Sequence, residues 1–284
     1  LAISLANVFC SAAITARVDS SGTAKQMLCS EEACEISGTL VPVPADGDNY
    51  FIGRNVLNGA NPATINVTTT EAAANVTLAY DNNTYAGTLN IDSGANLTIG
   101  GTLGVQNGTG TINLNGGTFG PGSPFLTVDA DNVTVLGPGT LVGNGVDPAI
   151  LVQAGADNFT MQDVEVREWA DGVQIAGPVV SFKLVNNFIH DNVDAGLQVD
   201  AGATLGGVVT IEGNLFKDNG GNGVQNDNGA ALDATYNSWG SDGGPAGLDL
   251  LGDGVSANVT FDPWTFAELY LDMVPDTEAE VRSV

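Results

Sequence analysis

The sequence predicts an all-β fold: a right-handed parallel β-helix with three strands per coil and about eight to ten coils. Three observations carry this expectation. Phe159, Phe182, Val209 and Leu232 recur at intervals of 23, 27 and 23 residues, and Val173, Leu197 and Val224 at 24 and 27. Each repeat contains three short alternating runs of β-branched and aromatic residues, none with the length and period of a helix. Gly, Asn and Asp separate the runs, which is the composition of tight turns rather than helix caps. A unit this short cannot bury its own apolar face, so it must stack on its neighbours, strand on strand at about 4.8 Å.

The repeats are clearest from Asp157 to Gly229. The run from Asn187 to Asn192 is echoed from Asn214 to Asn219 and more loosely from Asn237 to Asp242. Asn187, Asn214 and Asn237 therefore fall in register at one corner, where an amide can bond to the amides above and below it and to the turn backbone. A single such Asn could merely tolerate a left-handed turn, but three in register favour a structural ladder.

Upstream, alternating runs begin at Ile65 and continue through Val76–Leu78, Leu89–Ile91, Leu97–Ile99, Ile112–Leu114, Leu126–Val128, Val133–Val135 and Ile150–Val152. Residues 61–265 form the expected solenoid. The step from Leu97 to Val133 is 36 residues and reads as an insertion or an extra short rung. Residues 1–60 do not repeat and are the natural N-terminal cap for an open first coil, whose strand edge and core need cover. Leu1 to Phe9 could equally pair with a neighbouring molecule's sheet edge. Residues 266–284 are acidic, with a short amphipathic run from Phe266 to Met273, and read as a C-terminal cap or subunit contact.

Composition narrows the function. Against 33 acidic residues stand seven Lys and Arg, a formal charge of -26, with charged groups only 14% of the chain and 38 glycines. Such a surface repels nucleic acid and anionic membranes, and it could attract divalent cations or simply be well solvated. No apolar run reaches the roughly 18 residues of a membrane span. Leu1 to Ala16 resembles the tail of a signal peptide without an initiating Met or basic n-region, so it reads as the start of a processed, secreted chain. Cys29 and Cys34 could close a small loop, or Cys10 could pair with either of them or with another subunit. Three cysteines without neighbouring His argue against zinc.

The end of the repeats has the most distinctive wording: Tyr236-Asn237-Ser238-Trp239-Gly240-Ser241-Asp242-Gly243-Gly244-Pro245, then Gly252-Asp253-Gly254-Val255 and Asn258-Val259-Thr260-Phe261-Asp262-Pro263-Trp264. This stretch, with the Asn-led and Gly-apolar-Gln repeats, resembles the right-handed parallel β-helix repeat proteins of bacterial and archaeal surfaces, in the pectin-lyase-like superfamily, over about residues 65–265. Trp239 and Trp264 are expected to plug the last coil. The resemblance is specific for fold and weak for function, because the superfamily includes lyases, hydrolases, adhesins and structural proteins.

In its lyases the resemblance implies acidic calcium ligands beside an Arg or Lys base. In its pectin hydrolases it implies Asn-Thr-Asp, Asp-Asp, Gly-His-Gly and Arg-Ile-Lys runs, none of which occurs here. The nearest approach to a site is the column of Arg167, His190 and Lys217, with Glu165, Glu168, Asp191, Asp194 and Asp218 nearby. It can be drawn as a lyase groove or as solvated turn residues of alternating sign, and the acidic balance favours the second. Catalytic and metal sites are expected to be none, with no cofactor, although calcium is possible at acidic turns. Asn-x-Ser/Thr sequons occur at Asn66, Asn75, Asn82, Asn96, Asn107, Asn132, Asn158 and Asn258. In their alternating runs Asn and Thr face outward, open to glycan.

The resulting expectation is a secreted structural or adhesive cell-surface protein, not an enzyme, that associates with itself head-to-tail into a filament or layer, with surface glycans as a further partner. The alternative is a polysaccharide lyase or hydrolase on the same fold.

Overall fold

A computed structural model describes residues 86–100, 103–105, 108–120, 126–245 and 252–265, and, before these, the strands Val8–Phe9, Arg17–Val18, Lys25–Cys29, Cys34–Ile36, Asn49–Ile52, Ala63–Val67, Thr70–Ala73 and Asn75–Leu78. Among the described residues there is no helix, and three long sheets wrap a common core. The first sheet includes Ala86–Ile91, Thr109–Asn113, Thr134–Leu136, Phe159–Gln162, Phe182–Val185 and Val209–Glu212. The second includes Asn96–Ile99, Thr118–Phe119, Thr140–Val142, Glu165–Arg167, Phe188–His190 and Leu215–Lys217. The third includes Leu103–Val105, Leu126–Val128, Ile150–Val152, Val173–Ile175, Leu197–Val199 and Asn222–Asn226. The chain visits the sheets in turn, so each strand pairs in parallel with the one a coil away: Phe159 with Phe182 and Phe182 with Val209, Val173 with Leu197 and Leu197 with Val224.

Among the described residues the stack has about seven turns. Beyond Asn226 the stack continues in part: Gly254–Val255 pairs in parallel with Asn222–Asn226 in the third sheet and Ser238 bridges to Leu215 of the second, while Leu232–Asp233 pairs with Val259–Thr260 in a separate two-stranded sheet. The 36-residue step is not an insertion, because Leu97 lies in the second sheet and Val133 just before the first-sheet strand Thr134–Leu136; Leu97 pairs with Phe119, a regular coil away. In the 1–60 segment, Lys25–Cys29 pairs in parallel with Asn49–Ile52, which pairs in parallel with Asn75–Leu78, while Val8–Phe9 pairs antiparallel with Cys34–Ile36 and Arg17–Val18 antiparallel with Lys25–Cys29. Most of that segment, and residues 266–284, lie outside the described residues.

Alternation explains the core. In Ala86–Ile91 and Asn96–Ile99 every second residue is buried, and Phe119, Phe159, Phe182 and Phe216 are fully enclosed. The Gly-apolar-Gln repeat has a steric basis at Gly172, Gly196 and Gly223, which precede the paired third-sheet residues. A Cβ on Gly196 would lie 2.6 Å from the Gly223 carbonyl oxygen and 2.7 Å from the Phe216 ring. Gly196→Ala is expected to force the coils apart and cost about 2 to 3 kcal/mol, measured by urea unfolding.

Candidate functional site

The register aligns Val142, Arg167, His190 and Lys217 as the last residues of successive second-sheet strands. The next residues, Glu168, Asp191 and Asp218, all adopt left-handed backbone, with φ of 64°, 51° and 56°. That sharp corner folds each carboxylate back beside the cation it follows. Arg167 Nη1 meets Glu168, His190 Nδ1 lies 2.6 Å from Asp191 Oδ2, and Lys217 Nζ lies 3.5 Å from Asp218 Oδ2. Glu165, two residues before Arg167, ties the rungs together: its Oε1 lies 3.1 Å from His190 Nε2 and 3.4 Å from Arg167 Nε, and its Oε2 accepts a 2.7 Å bond from Thr140. The His190 ring stacks on Phe188 at 3.8 Å.

The hydrogen bond from His190 holds the Glu165 carboxyl below the ordinary carboxylate range; partial burial opposes this, and Thr140 and the charges of His190 and Arg167 reinforce it. Its folded pKa is therefore depressed. The stability it contributes is present above its ordinary value near 4.5 and lost as pH falls through the folded value. Glu165→Gln is expected to cost up to about 1 kcal/mol near neutrality and nothing in strong acid, read from unfolding midpoints across pH. Chemically, each cation of the column is occupied by a neighbouring carboxylate, whereas a lyase base must be free to take a proton. Asp194 is not part of these contacts: its backbone N–H bonds the Ala170 carbonyl. Among the described residues no group of three His, Cys, Asp or Glu is placed to hold a metal ion.

Asn187, Asn214 and Asn237 form a fully buried column. Asn187 Nδ2 donates to Asn214 Oδ1 at 2.9 Å, and Asn214 Nδ2 donates to Asn237 Oδ1 at 3.0 Å. Each side-chain oxygen also caps the backbone N–H of the preceding coil: Val164, Asn187 and Asn214 donate to Asn187, Asn214 and Asn237. A second column, not singled out in the sequence, runs through Asn192, Asn219 and Asp253. Trp169 N–H donates to Asn192 Oδ1, Asn192 Nδ2 to Asn219 Oδ1 at 2.8 Å, and Asn219 Nδ2 to Asp253 Oδ2 at 2.5 Å. The 27-residue spacing of Asn192 and Asn219 copies that of Asn187 and Asn214, which is the signal for it.

Trp239 is fully buried and stacks on Phe216 at 5.4 Å, whereas Trp264 is half-buried, tilted against Phe261, and donates from Nε1 to the Asp242 carbonyl. The sequon residues Asn66, Asn75, Asn96 and Asn258 are half-exposed, and Asn132 and Asn158 are exposed. Asn82 and Asn107 lie outside the described residues, as do Cys10 and the side chains of Cys29 and Cys34. A shallow recess of about 350 Å³ lies over the first sheet between Asn132, Thr134, Asn158, Thr160, Ser181 and Lys183. The exposed Lys183 lies outside the ion pairs of the described cations.

This architecture defines the chain as a parallel β-solenoid. No known protein family, curated protein or solved structure matches it.

Proposed function

We propose that the chain is an extracellular structural or adhesive component of a cell surface, built on the lines of the surface β-helix repeat proteins of the pectin-lyase-like superfamily and associating with itself end to end. The observation that carries this reading is the pair of amide columns bonding successive coils through the interior. They make the solenoid a stiff rod, suited to bearing load and spacing. The engagement of Arg167, His190 and Lys217 by carboxylates supports construction over cleavage. The outward sequon asparagines suit a glycosylated surface, with acidic turns as places for calcium. The two ends of the solenoid are the places where a neighbouring copy could continue the stack. Leu1 to Phe9 and Phe261 to Met273 are the proposed contact segments, and a head-to-tail contact that does not close propagates into a filament.

Electron microscopy of the purified chain tests this. Filaments are expected for the full chain, and their loss with an unchanged circular dichroism spectrum on deleting Leu1 to Phe9. Turnover of an acidic polysaccharide that disappears in Arg167→Ala or Lys217→Ala would replace this reading with the lyase one.

A further inference from the structure

The outer face of the first sheet carries a feature that the end-to-end reading does not use. Thr88, Thr111, Thr134 and Thr160 stand in one register column, continued after Lys183 by Thr210. They are half-exposed, and their hydroxyls bond to no described residue. On the second sheet, by contrast, Thr98 donates to the Gly120 carbonyl and Thr140 to Glu165. Beside the Thr column runs a second, in which Asn113 Nδ2 donates to Asn90 Oδ1 and Asn90 Nδ2 to Asn66 Oδ1. From Ala86–Ile91 through Phe159–Gln162, every outward residue of the first-sheet strands is uncharged, on a chain of formal charge -26.

We infer that this face is a side-by-side contact surface for a second copy of the chain. Two copies of so acidic a molecule repel over most of their surface, and this is a stretch over which they can meet without opposing charges. A hydroxyl both donates and accepts, so a column of threonines complements an identical column, as a column of Lys or Glu could not. Both copies carry the same strand spacing, so a match at one rung repeats at the next. Thr is stiff at χ1 and loses little freedom on contact. The patch is about 15 Å long, so the contact is weak between free molecules and gains strength where rods are already aligned. In that respect it deepens the end-to-end reading, turning a filament into a layer.

The test is small-angle scattering and sedimentation of the full chain up to millimolar concentration, in low and high salt, alongside Thr111→Glu/Thr134→Glu and the variant lacking Leu1 to Phe9. The deletion variant, unable to polymerise, is expected to form side-by-side pairs, more strongly in high salt. The double variant, placed in the deletion background and with an unchanged circular dichroism spectrum, is expected to pair at least about tenfold more weakly. Should its spectrum change, Thr134→Lys alone serves by the same criterion. Unchanged pairing in the charged variant, a deletion variant that stays monomeric at high salt, or a monomer that instead binds a neutral glycan on this face would overturn the inference. Because pairing is read in a variant without end-to-end contacts, its failure is distinct from failure of the filament.

Discussion

Asn214→Ala is expected to lower the unfolding free energy by about 4 kcal/mol, more than removing an exposed polar residue costs. Asn214 accepts from both the N–H and the Nδ2 of Asn187, and donates to Asn237 Oδ1 and to the Leu184 carbonyl at 2.8 Å. Alanine leaves the buried Asn187 N–H without its acceptor, takes one bond from Asn187 Nδ2, Asn237 Oδ1 and the Leu184 carbonyl, and opens a cavity the size of an amide. Asn214→Asp is the discriminating control. It keeps the shape and can still accept from Asn187, but an ionised carboxylate cannot donate to Leu184 or Asn237, so it should be destabilised by a similar amount, less so in acid. Because coils contact only their neighbours, the damage should be local: hydrogen exchange should show the coils around Asn187 and Asn237 opening before those around Ile112. Urea unfolding of both variants measures the total. A loss below about 1 kcal/mol would mean that the column is dispensable.

The reasons that this column was legible in the sequence, and others were not, are physical. Asn187, Asn214 and Asn237 are separated by the coil period itself, and each opens a recognisable phrase. The second column hides its last member, since Asp253 lies 34 residues after Asn219 and differs in type. The interval is longer than the coil period and holds the strands Asn222–Asn226 and Leu232–Asp233, so sequence spacing carries no register across it. The basic column is similar: periodicity aligned Arg167, His190 and Lys217, but only the left-handed corners at Glu168, Asp191 and Asp218 show that each cation is neutralised by its successor. The Thr column is not legible in the sequence because alternation says which way Thr88 or Thr134 points, not which strand lies beside it. Leu97 and Val133 show the same limit, for two similar apolar runs belong to different sheets.

Asp253→Asn is expected to stabilise the protein at neutral pH, the opposite direction from Asn214→Ala. Asp253 is 7% exposed, and burial pushes its carboxyl up to about 6 despite the bonds it accepts from the Asn219 side chain and backbone. In the unfolded chain it titrates near 3.8. Between those values the folded state holds a proton that the unfolded state has lost, so stability falls as pH rises from about 4 to about 6 and stays lower above that window. The deficit at neutrality is on the order of 2 to 3 kcal/mol. An amide here would offer the same acceptor that Asn219 presents to Asn192, whose N–H and Nδ2 both reach Asn219 Oδ1 at 3.2 and 2.8 Å, with no buried charge. Unfolding midpoints across pH should therefore show a wild-type decline through the window that Asp253→Asn abolishes. The Glu165 dependence, of opposite sign and at lower pH, should persist in that variant, which separates the two carboxylates. If wild type and variant run parallel from pH 4 to pH 7, the end of the second column is wetter than its packing against Trp239 and Asn219 implies, and Asp253 closes the column as an ordinary solvated carboxylate.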